Sequence, residues 1–217
     1  MKSIQLGRVK LEYREEKIDE FVIKEVMINN SYEKYFKLKN GCWLDIGAHI
    51  GTFSVKMAMF GSKVIAYEPE PENYKLLCAN VENNELNVYT NNEAVVGNGD
   101  TERNFYVNKK KNTGANTLYG KRVAGREIIK VKCENINNIL KNNVIDGMKI
   151  DCEGGEFEIL SAIKDFFSIK QIVLEYHFNI LGKEKYFEII RILQKAGFKV
   201  HYKEPKKHWI LLIGAER

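Results

Sequence analysis

From residue 41 onward, short apolar runs rich in β-branched and aromatic residues alternate with longer segments whose apolar positions recur every three or four residues. The runs that predict strands cover residues 42–46, 63–67, 88–96, 148–150 and 171–176. The segments that predict helices cover residues 52–60, 72–82, 136–141, 155–167 and 183–196. Such alternation is typical of βαβ units, so it predicts an α/β fold with a mostly parallel sheet. Two last runs, 198–202 and 209–213, predict a closing antiparallel pair.

The first 40 residues depart from this alternation. Apolar and polar side chains alternate between Ile4 and Glu12, which predicts a half-buried strand. Helical spacing follows over residues 19–37 and predicts one or two short helices. We therefore expect an N-terminal β/α appendage over residues 1–40, packed on a main domain of residues 41–217.

Residues 97–133 also interrupt the pattern. The strand-like runs 103–107 and 127–131 flank a polar, glycine-containing loop. We interpret this part of the chain as an insertion over the ligand-binding face of the sheet. The small polar residues of 112–118 fit either a substrate-facing lid or plain surface, and the sequence leaves both open.

The composition fits one globular core. The chain has 217 residues, of which 44% are hydrophobic and only 3 are proline, so it has ample apolar material and no linker-like stretch. Arg8, Lys10 and Glu12 place charge where a signal peptide needs an apolar run. No stretch approaches the roughly 18 apolar residues of a membrane span. We expect a cytoplasmic protein.

The charge and the cysteines narrow the function classes only a little. A net charge of +5 permits an anionic partner such as nucleic acid, without requiring one. Lysines concentrate at 109–111 and 203–207, which a solvated surface explains as well. The chain has four cysteines, Cys42, Cys78, Cys133 and Cys152. They form no C-x-x-C pair, so neither a zinc site nor a disulfide framework is indicated.

The turn after the first core strand carries the first chemical signal. It reads Asp45-x-Gly47-x-x-x-Gly51, with His49 inside it. A strand, a glycine turn and a helix place backbone N–H groups against a ligand at the helix N-terminus. The G-x-G-x-x-G fingerprint of dinucleotide binding is incomplete here, and an acid closes the strand. A carboxylate suits a cationic sulfonium and its ammonium group better than a pyrophosphate.

Polar residues also end the following strands. Glu68 closes the second strand, where a carboxylate can accept hydrogen bonds from both ribose hydroxyls of an adenosine. Asn92 and Glu93 follow the third strand and can bond an adenine edge, and Asp151 ends the fourth. Because ligands in open parallel sheets bind outside the carboxyl ends of the strands, we expect these residues to share one crevice. Together with the glycine turn they predict S-adenosylmethionine as the cofactor.

Three segments resemble the FkbM-type methyltransferases: Trp43–Gly51, Tyr67–Pro71 and, most specifically, Met148–Glu156 with its K-I-D-x-E-G-x-E pattern. The resemblance covers about residues 20–180. It implies a class I methyltransferase fold with a seven-stranded, mostly parallel sheet and helices on both faces. It also implies S-adenosylmethionine as methyl donor and O-methylation of a hydroxyl on a sugar or natural-product scaffold. The chain departs from the family pattern at His49, where Asn is usual, and at Gly155, where Ala is frequent.

Two residues are candidates for removing the acceptor's proton. His177 follows the fifth strand and should emerge at the rim of the crevice, as a general base or as a structural residue. Glu153 lies on the same rim, as a base, as a group that orients the acceptor, or as a first-turn acid that complements a helix dipole. A metal held by Asp151, Glu153 and His177 is conceivable, but the spacing matches no recognised ligand motif, so we predict none.

The partner predicted by these residues is a small-molecule or glycan methyl acceptor. RNA ribose methylation stays open as an alternative, since the chain is basic. The N-P-P-Y-like tetrapeptide and the P-C context of base-modifying enzymes are both missing from the sequence. A non-catalytic adenosine-binding module is a further alternative that sequence cannot separate from an enzyme.

Overall fold

The computed structural model describes residues 1–15, 18–35, 37, 40–108, 115–119, 126–166, 168–202 and 210–217. The strands in this part of the chain are β1 (Lys2–Leu6), β2 (Val9–Tyr13), β3 (Cys42–Ile46), β4 (Lys63–Tyr67), β5 (Val88–Asn91), β6 (Ala94–Val96), β7 (Glu102–Val107), β8 (Glu127–Asn135), β9 (Gly147–Ile150), β10 (Gln171–His177), β11 (Lys199–His201) and β12 (Ile210–Glu216). The α-helices are α1 (Asp19–Ile23), α2 (Thr52–Met59), α3 (Pro71–Glu82), α4 (Ile136–Asn142), α5 (Glu156–Ala162) and α6 (Phe178–Lys195).

Seven strands form the main sheet, in the order β11-β12-β10-β9-β3-β4-β5. β12 runs antiparallel to both neighbours, whereas β10, β9, β3, β4 and β5 pair in parallel. Ile46 at the end of β3 is in register with Tyr67 of β4 and Ile150 of β9, so the carboxyl ends of the central strands lie level with one another. The predicted mostly parallel sheet and its closing antiparallel pair are confirmed.

Helices cover both faces of this sheet. Trp43 packs with Phe53 and Met57 of α2 on one face, whereas Leu44 lies in a separate cluster with Ile159 of α5 on the other. Alternate residues of β3 thus enter two different cores. A parallel strand buried on both faces is apolar at nearly every position, which is why the sequence marks these strands as short continuous runs.

The N-terminal residues form a hairpin and several short helical turns. The single strand predicted between Ile4 and Glu12 is wrong: β1 and β2 pair antiparallel around Gly7, whose φ of +62° suits a tight turn. Apolar and polar residues alternate within each strand, but the phase shifts at the turn, from Ile4 and Leu6 in β1 to Val9 and Leu11 in β2. Leu11 is fully buried against Leu76 of α3. After α1 come a π-helical turn over Lys24–Ile28 and a 3₁₀ turn over Glu33–Tyr35.

The strand predicted over residues 88–96 is two strands in different sheets. β5 ends the main sheet at Asn91, and β6 joins β8 and β7 in a three-stranded sheet of order β6-β8-β7. Between them the side-chain amide of Asn92 donates to the carbonyl oxygens of Glu68 and Pro69 at 2.9 and 3.2 Å. These bonds hold the chain at the end of β4 while it changes sheets.

Two predicted helix boundaries are also corrected. The helix expected to reach residue 167 ends at Ala162, because Asn137 of α4 caps it: its amide donates to Ala162 O at 2.9 Å and its oxygen accepts from Lys164 N at 3.0 Å. The helix expected from residue 183 begins at Phe178 and is interrupted at Gly182 (φ +78°). No helix in the described ranges combines the length and apolarity needed to cross a membrane.

Some predictions concern residues outside the described ranges. They are the lysines at 109–111 and 203–207, residues 112–114 of the polar loop, Phe36 and Phe167 at helix ends, and Trp209 at the start of the last strand.

Candidate active site

A cleft opens where the carboxyl ends of β3, β4, β5 and β9 meet, and it contains about 890 Å³ of space free of protein atoms, part of it open to solvent. Six of the site residues predicted from sequence line it: Gly47, His49, Glu68, Glu93, Asp151 and Glu153. The N-terminal segment contributes Val22, Val26 and Tyr32. Phe105, Asn116 and Leu118 come from the segment interpreted as an insertion, and the small second sheet therefore borders the cleft.

The glycine turn is built by a close approach of two strands. Gly47 has a φ of +78°, and a Cβ at this position would lie 1.8 Å from the carbonyl oxygen of Asp151. Only glycine lets the ends of β3 and β9 come this close. Gly51, with a φ of +85°, does not line the cleft; it begins α2 and lies so near Leu77 that a Cβ would approach Leu77 Cδ1 to 2.5 Å. His49 adopts a φ of +52°, a region that His tolerates better than most side chains.

Glu68 lies at the cleft with only 5% of its surface exposed. One carboxylate oxygen accepts from the backbone N–H of His49 at 2.8 Å. The other accepts from Glu70 N at 2.9 Å and from Asn73 Nδ2 at 3.3 Å. Burial raises the pKa of Glu68 to about 7, although these hydrogen bonds act in the opposite direction. The group thus changes charge within the neutral pH range.

Asp45 lies behind the turn rather than in the cleft. It is fully buried, accepts from Ser54 Oγ at 2.6 Å and lies 3.2 Å from Lys149 Nζ. The same ammonium donates to the carbonyl oxygen of Gly47 at 2.7 Å. Burial lowers the pKa of Lys149, but Asp45 and Asp151 outweigh burial, so the pKa is raised and the lysine stays charged. Asp45 therefore holds the cation that fixes the glycine turn.

The last residue of β10 is surrounded by carboxylates. His177 is 2% exposed, and its Nδ1 lies 2.8 Å from Glu156 Oε1. Its Nε2 lies 3.4 Å from Glu153 Oε1, 3.7 Å from Glu175 Oε1 and 4.0 Å from Asp151 Oδ1. Burial lowers the pKa of His177, but Glu156 and Glu153 raise it well above the usual value. His177 does not line the cleft and reaches it only through Glu153 and Asp151.

Glu153 occupies a strained turn between β9 and α5. Its φ is +51° and that of Gly154 is +108°. A Cβ at position 154 would lie 2.7 Å from Ile180 Cγ2, so glycine is needed there. The hydroxyl of Thr117 donates to Glu153 O at 2.5 Å and ties this turn to the segment after β7. Burial raises the pKa of the Glu153 carboxyl.

Four residues of this site were not predicted from the sequence: Tyr32, Lys149, Glu156 and Glu175. The Tyr32 hydroxyl donates to Glu175 Oε2 at 3.2 Å and lies 3.4 Å from Asp151 Oδ2. Burial, followed by the nearby Asp151, raises the pKa of Glu175 to about 8. The sequence carries a signal for two of these four residues. Lys149 in β9 and Glu175 in β10 are charged residues inside otherwise apolar, buried strands.

Three solved methyltransferases have a fold similar to that of this chain. Precorrin-6y C5,15-methyltransferase from Geobacter metallireducens GS-15 has a TM-score of 0.52 at 14% identity, with 88% of this chain and 89% of that chain covered. An rRNA methylase from Streptococcus thermophilus has a TM-score of 0.52 at 10% identity, with coverages of 88% and 94%. Magnesium protoporphyrin IX methyltransferase from Synechocystis PCC 6803 has a TM-score of 0.51 at 11% identity, with coverages of 95% and 85%. The fold is that of the class I methyltransferases.

The sequence profile of the methyltransferase FkbM domain matches residues 45–200, which is more than half of the chain, and the chain belongs to that family. The match includes the glycine turn, Glu68 and the segment around Asp151. The chain is therefore a methyltransferase, and its methyl donor is S-adenosylmethionine. A search of curated protein sequences finds no significant match.

Proposed function

We propose that this protein transfers the methyl group of S-adenosylmethionine to a hydroxyl oxygen of a sugar, a glycan or a small natural product. The observation that carries the proposal is that Glu68 and Glu153 line the same cleft from the ends of β4 and β9. These strands flank β3, so they are separated by about 10 Å, two strand spacings. That separation leaves room for an adenosine at Glu68 and an acceptor at Glu153. In this proposal residues 41–217 are the catalytic domain, with 97–133 as its insertion and 1–40 as an appendage.

The cofactor half of the cleft extends from the glycine turn to the end of β5. The ribose hydroxyls donate to Glu68, while Glu93 bonds the adenine edge. Asn92, which was also predicted to contact the adenine, does not line the cleft, and its amide bonds the carbonyl oxygens of Glu68 and Pro69 instead. Gly47 and His49 line the methionine part, and Gly51 lets α2 begin close behind them. Asp151 supplies negative charge beside the sulfonium, and Asp45 acts from behind through Lys149.

The acceptor half centres on Glu153. An acceptor hydroxyl oxygen attacks the methyl carbon in line, a C–O bond forms as the C–S bond breaks, and the sulfur leaves as the neutral thioether of S-adenosylhomocysteine. Glu153 accepts the hydroxyl proton. His177 lies behind Glu153 and, held by Glu156, orients and stabilises that carboxylate.

Transfer of tritium from S-adenosyl-L-[methyl-³H]methionine tests the proposal. Phosphosugars, glycans, hydroxylated small molecules and RNA are offered separately, and the product is then treated with mild base. We expect label in a sugar or small-molecule acceptor as a base-stable ether. Label in RNA ribose would instead favour nucleic-acid methylation, and cofactor binding without transfer to any acceptor would favour a non-catalytic module.

A further inference from the structure

Three carboxylate oxygens on different parts of the chain converge on one ring nitrogen. Asp151 Oδ1 follows β9, Glu153 Oε1 lies in the next turn, and Glu175 Oε1 projects from β10. They lie 4.0, 3.4 and 3.7 Å from Nε2 of His177. Ligand atoms of Asp151, Glu175 and His177 all lie within 4.8 Å of one another.

The nitrogen at the centre of this group is buried and lacks a hydrogen bond of normal geometry to any described residue. The other ring nitrogen, Nδ1, lies 2.8 Å from Glu156, a carboxylate that also accepts from Gly154 N at 3.0 Å. Without a metal, a proton on Nε2 faces the three carboxylate oxygens, which lie 3.4 to 4.0 Å away. A divalent cation would take the place of that proton, because a metal-bound imidazole nitrogen must be deprotonated.

We propose that Asp151, Glu175 and His177 bind a divalent metal ion through Oδ1, Oε1 and Nε2. Metal–ligand distances near 2.1 Å place neighbouring ligand atoms roughly 3.0 to 3.5 Å apart. Glu175 Oε1 and Asp151 Oδ1 lie 3.7 and 4.0 Å from Nε2, and the three ligand atoms lie within 4.8 Å of one another, so side-chain shifts of roughly an ångström close the site. One imidazole and two carboxylates form a mixed ligand set that suits Mn²⁺ or Zn²⁺.

The surrounding contacts fit the outer shell of such a site. A metal-bound histidine typically donates its other N–H to a carboxylate, which is the position of Glu156. Tyr32 contacts the remaining oxygens, Glu175 Oε2 at 3.2 Å and Asp151 Oδ2 at 3.4 Å. Lys149 Nζ lies 3.6 Å from Asp151 Oδ2, and it is also engaged by Asp45.

The consequence for catalysis rests on the proposed function. Asp151, one of the three ligands, lines the cleft, so a metal held here would supply Lewis-acid chemistry to an acceptor hydroxyl bound on that side and would lower the pKa of that hydroxyl. Glu153 would accept the hydroxyl proton, and His177 would be a ligand rather than a positioning residue behind Glu153. Metal binding itself does not depend on the identity of the acceptor.

Manganese binding to the chelator-treated full-length chain tests the site. Electron paramagnetic resonance titration counts bound Mn²⁺, and electron spin-echo modulation detects a coordinated imidazole nitrogen. We expect one Mn²⁺ per chain with nitrogen coupling, and at least about tenfold weaker binding in Glu175→Gln and Asp151→Asn. Glu102→Gln removes an exposed carboxylate that pairs with Lys130 and should bind Mn²⁺ like the wild type. Zn²⁺ should displace the bound Mn²⁺.

Three results would overturn the metal site: no saturable binding, binding without nitrogen coupling, or equal affinity in Glu175→Gln and wild type. Circular dichroism spectra and melting temperatures show whether each variant is folded, and Asp151→Asn supplies a second test if Glu175→Gln is not. S-Adenosylhomocysteine binding by the same metal-free protein keeps this result separate from the proposed function. Bound Mn²⁺ without methyl transfer to any hydroxyl would leave the metal site standing and contradict the proposed function.

Discussion

In the wild type, cofactor affinity should rise with pH whereas folding stability should fall with pH. Replacing Glu68 by Gln should abolish the first dependence and reduce the second. Burial raises the pKa of this carboxyl from 4.5 to about 7, so the ligand-free protein carries it largely protonated below pH 7. Ribose hydroxyls need the ionised form as a strong acceptor. Wild-type affinity for S-adenosylhomocysteine should therefore fall up to about tenfold for each pH unit below 7. A Gln at this position does not titrate, so its binding should be flat with pH.

The raised pKa of Glu68 also determines whether folding stability rises or falls with pH. A carboxyl whose pKa is higher in the folded state binds its proton more tightly there, so stability is lost as pH rises from 4.5 to about 7. The increase in the pKa of Glu68 on folding corresponds to a loss of roughly 3 kcal/mol in the free energy of unfolding across this pH range. Urea denaturation of the ligand-free wild type should show this loss, reduced in Glu68→Gln. At pH 8 the variant should bind S-adenosylhomocysteine about 10- to 100-fold more weakly, from the loss of charge-assisted hydrogen bonds.

Calorimetric titrations at pH 6, 7 and 8 measure the affinity. Glu72→Gln is the matched control, because Glu72 lies four residues away in α3 and is exposed. It should reproduce the wild-type affinity and its pH dependence. Wild-type binding that is independent of pH over this range, or equal affinities for the two variants at pH 8, would refute the role given to Glu68.

Three further substitutions test separate parts of the account. Gly47→Ala should lower the melting temperature sharply and abolish S-adenosylhomocysteine binding, because the added Cβ meets the carbonyl oxygen of Asp151. The control Gly61→Ala, at a φ of +87° with no atom within 4 Å of its added Cβ, should cost only about 1 kcal/mol of stability. Similar losses of stability in both variants would contradict the close approach of β3 and β9. Lys149→Met leaves Asp45 buried without its cation and should cost about 3 to 5 kcal/mol in urea denaturation; a loss under about 1 kcal/mol, as at an exposed pair, would argue against this ion pair. Glu153→Gln should lower kcat by roughly 10²- to 10⁴-fold while cofactor affinity stays within about twofold, and a parallel loss of both would assign Glu153 to the cofactor.

The central strands could be predicted from sequence because their local signals agree. β3 and β4 are buried on both faces and are followed by a glycine turn or by Glu68-Pro69, so their bounds match the predicted runs. The run from 88 to 96 looked equally continuous. Its division depends on Asn92 bonding to the carbonyl oxygens of Glu68 and Pro69, a contact 24 and 23 residues distant in the chain.

Some residues of the site could likewise be predicted from the sequence, and others could not. Glu68 and Asp151 could be placed because a residue that ends a parallel strand must border the crevice. Asp45 lies one residue before the end of β3. It is in register with Lys149 on β9 and lies 3.2 Å from that lysine's ammonium group, a pairing that no local sequence pattern contains. Tyr32 contacts residues 119 and 143 positions away, so only the folded chain reveals that the N-terminal segment completes the carboxylate cluster.

Calorimetric titration of the wild-type protein with S-adenosylhomocysteine and, separately, with NAD tests whether the cleft binds the methyl donor. We expect one S-adenosylhomocysteine per chain at pH 8 and no detectable heat of binding with NAD. Tight NAD binding, or no binding of S-adenosylhomocysteine by folded protein, would contradict the assignment of the cleft to the methyl donor.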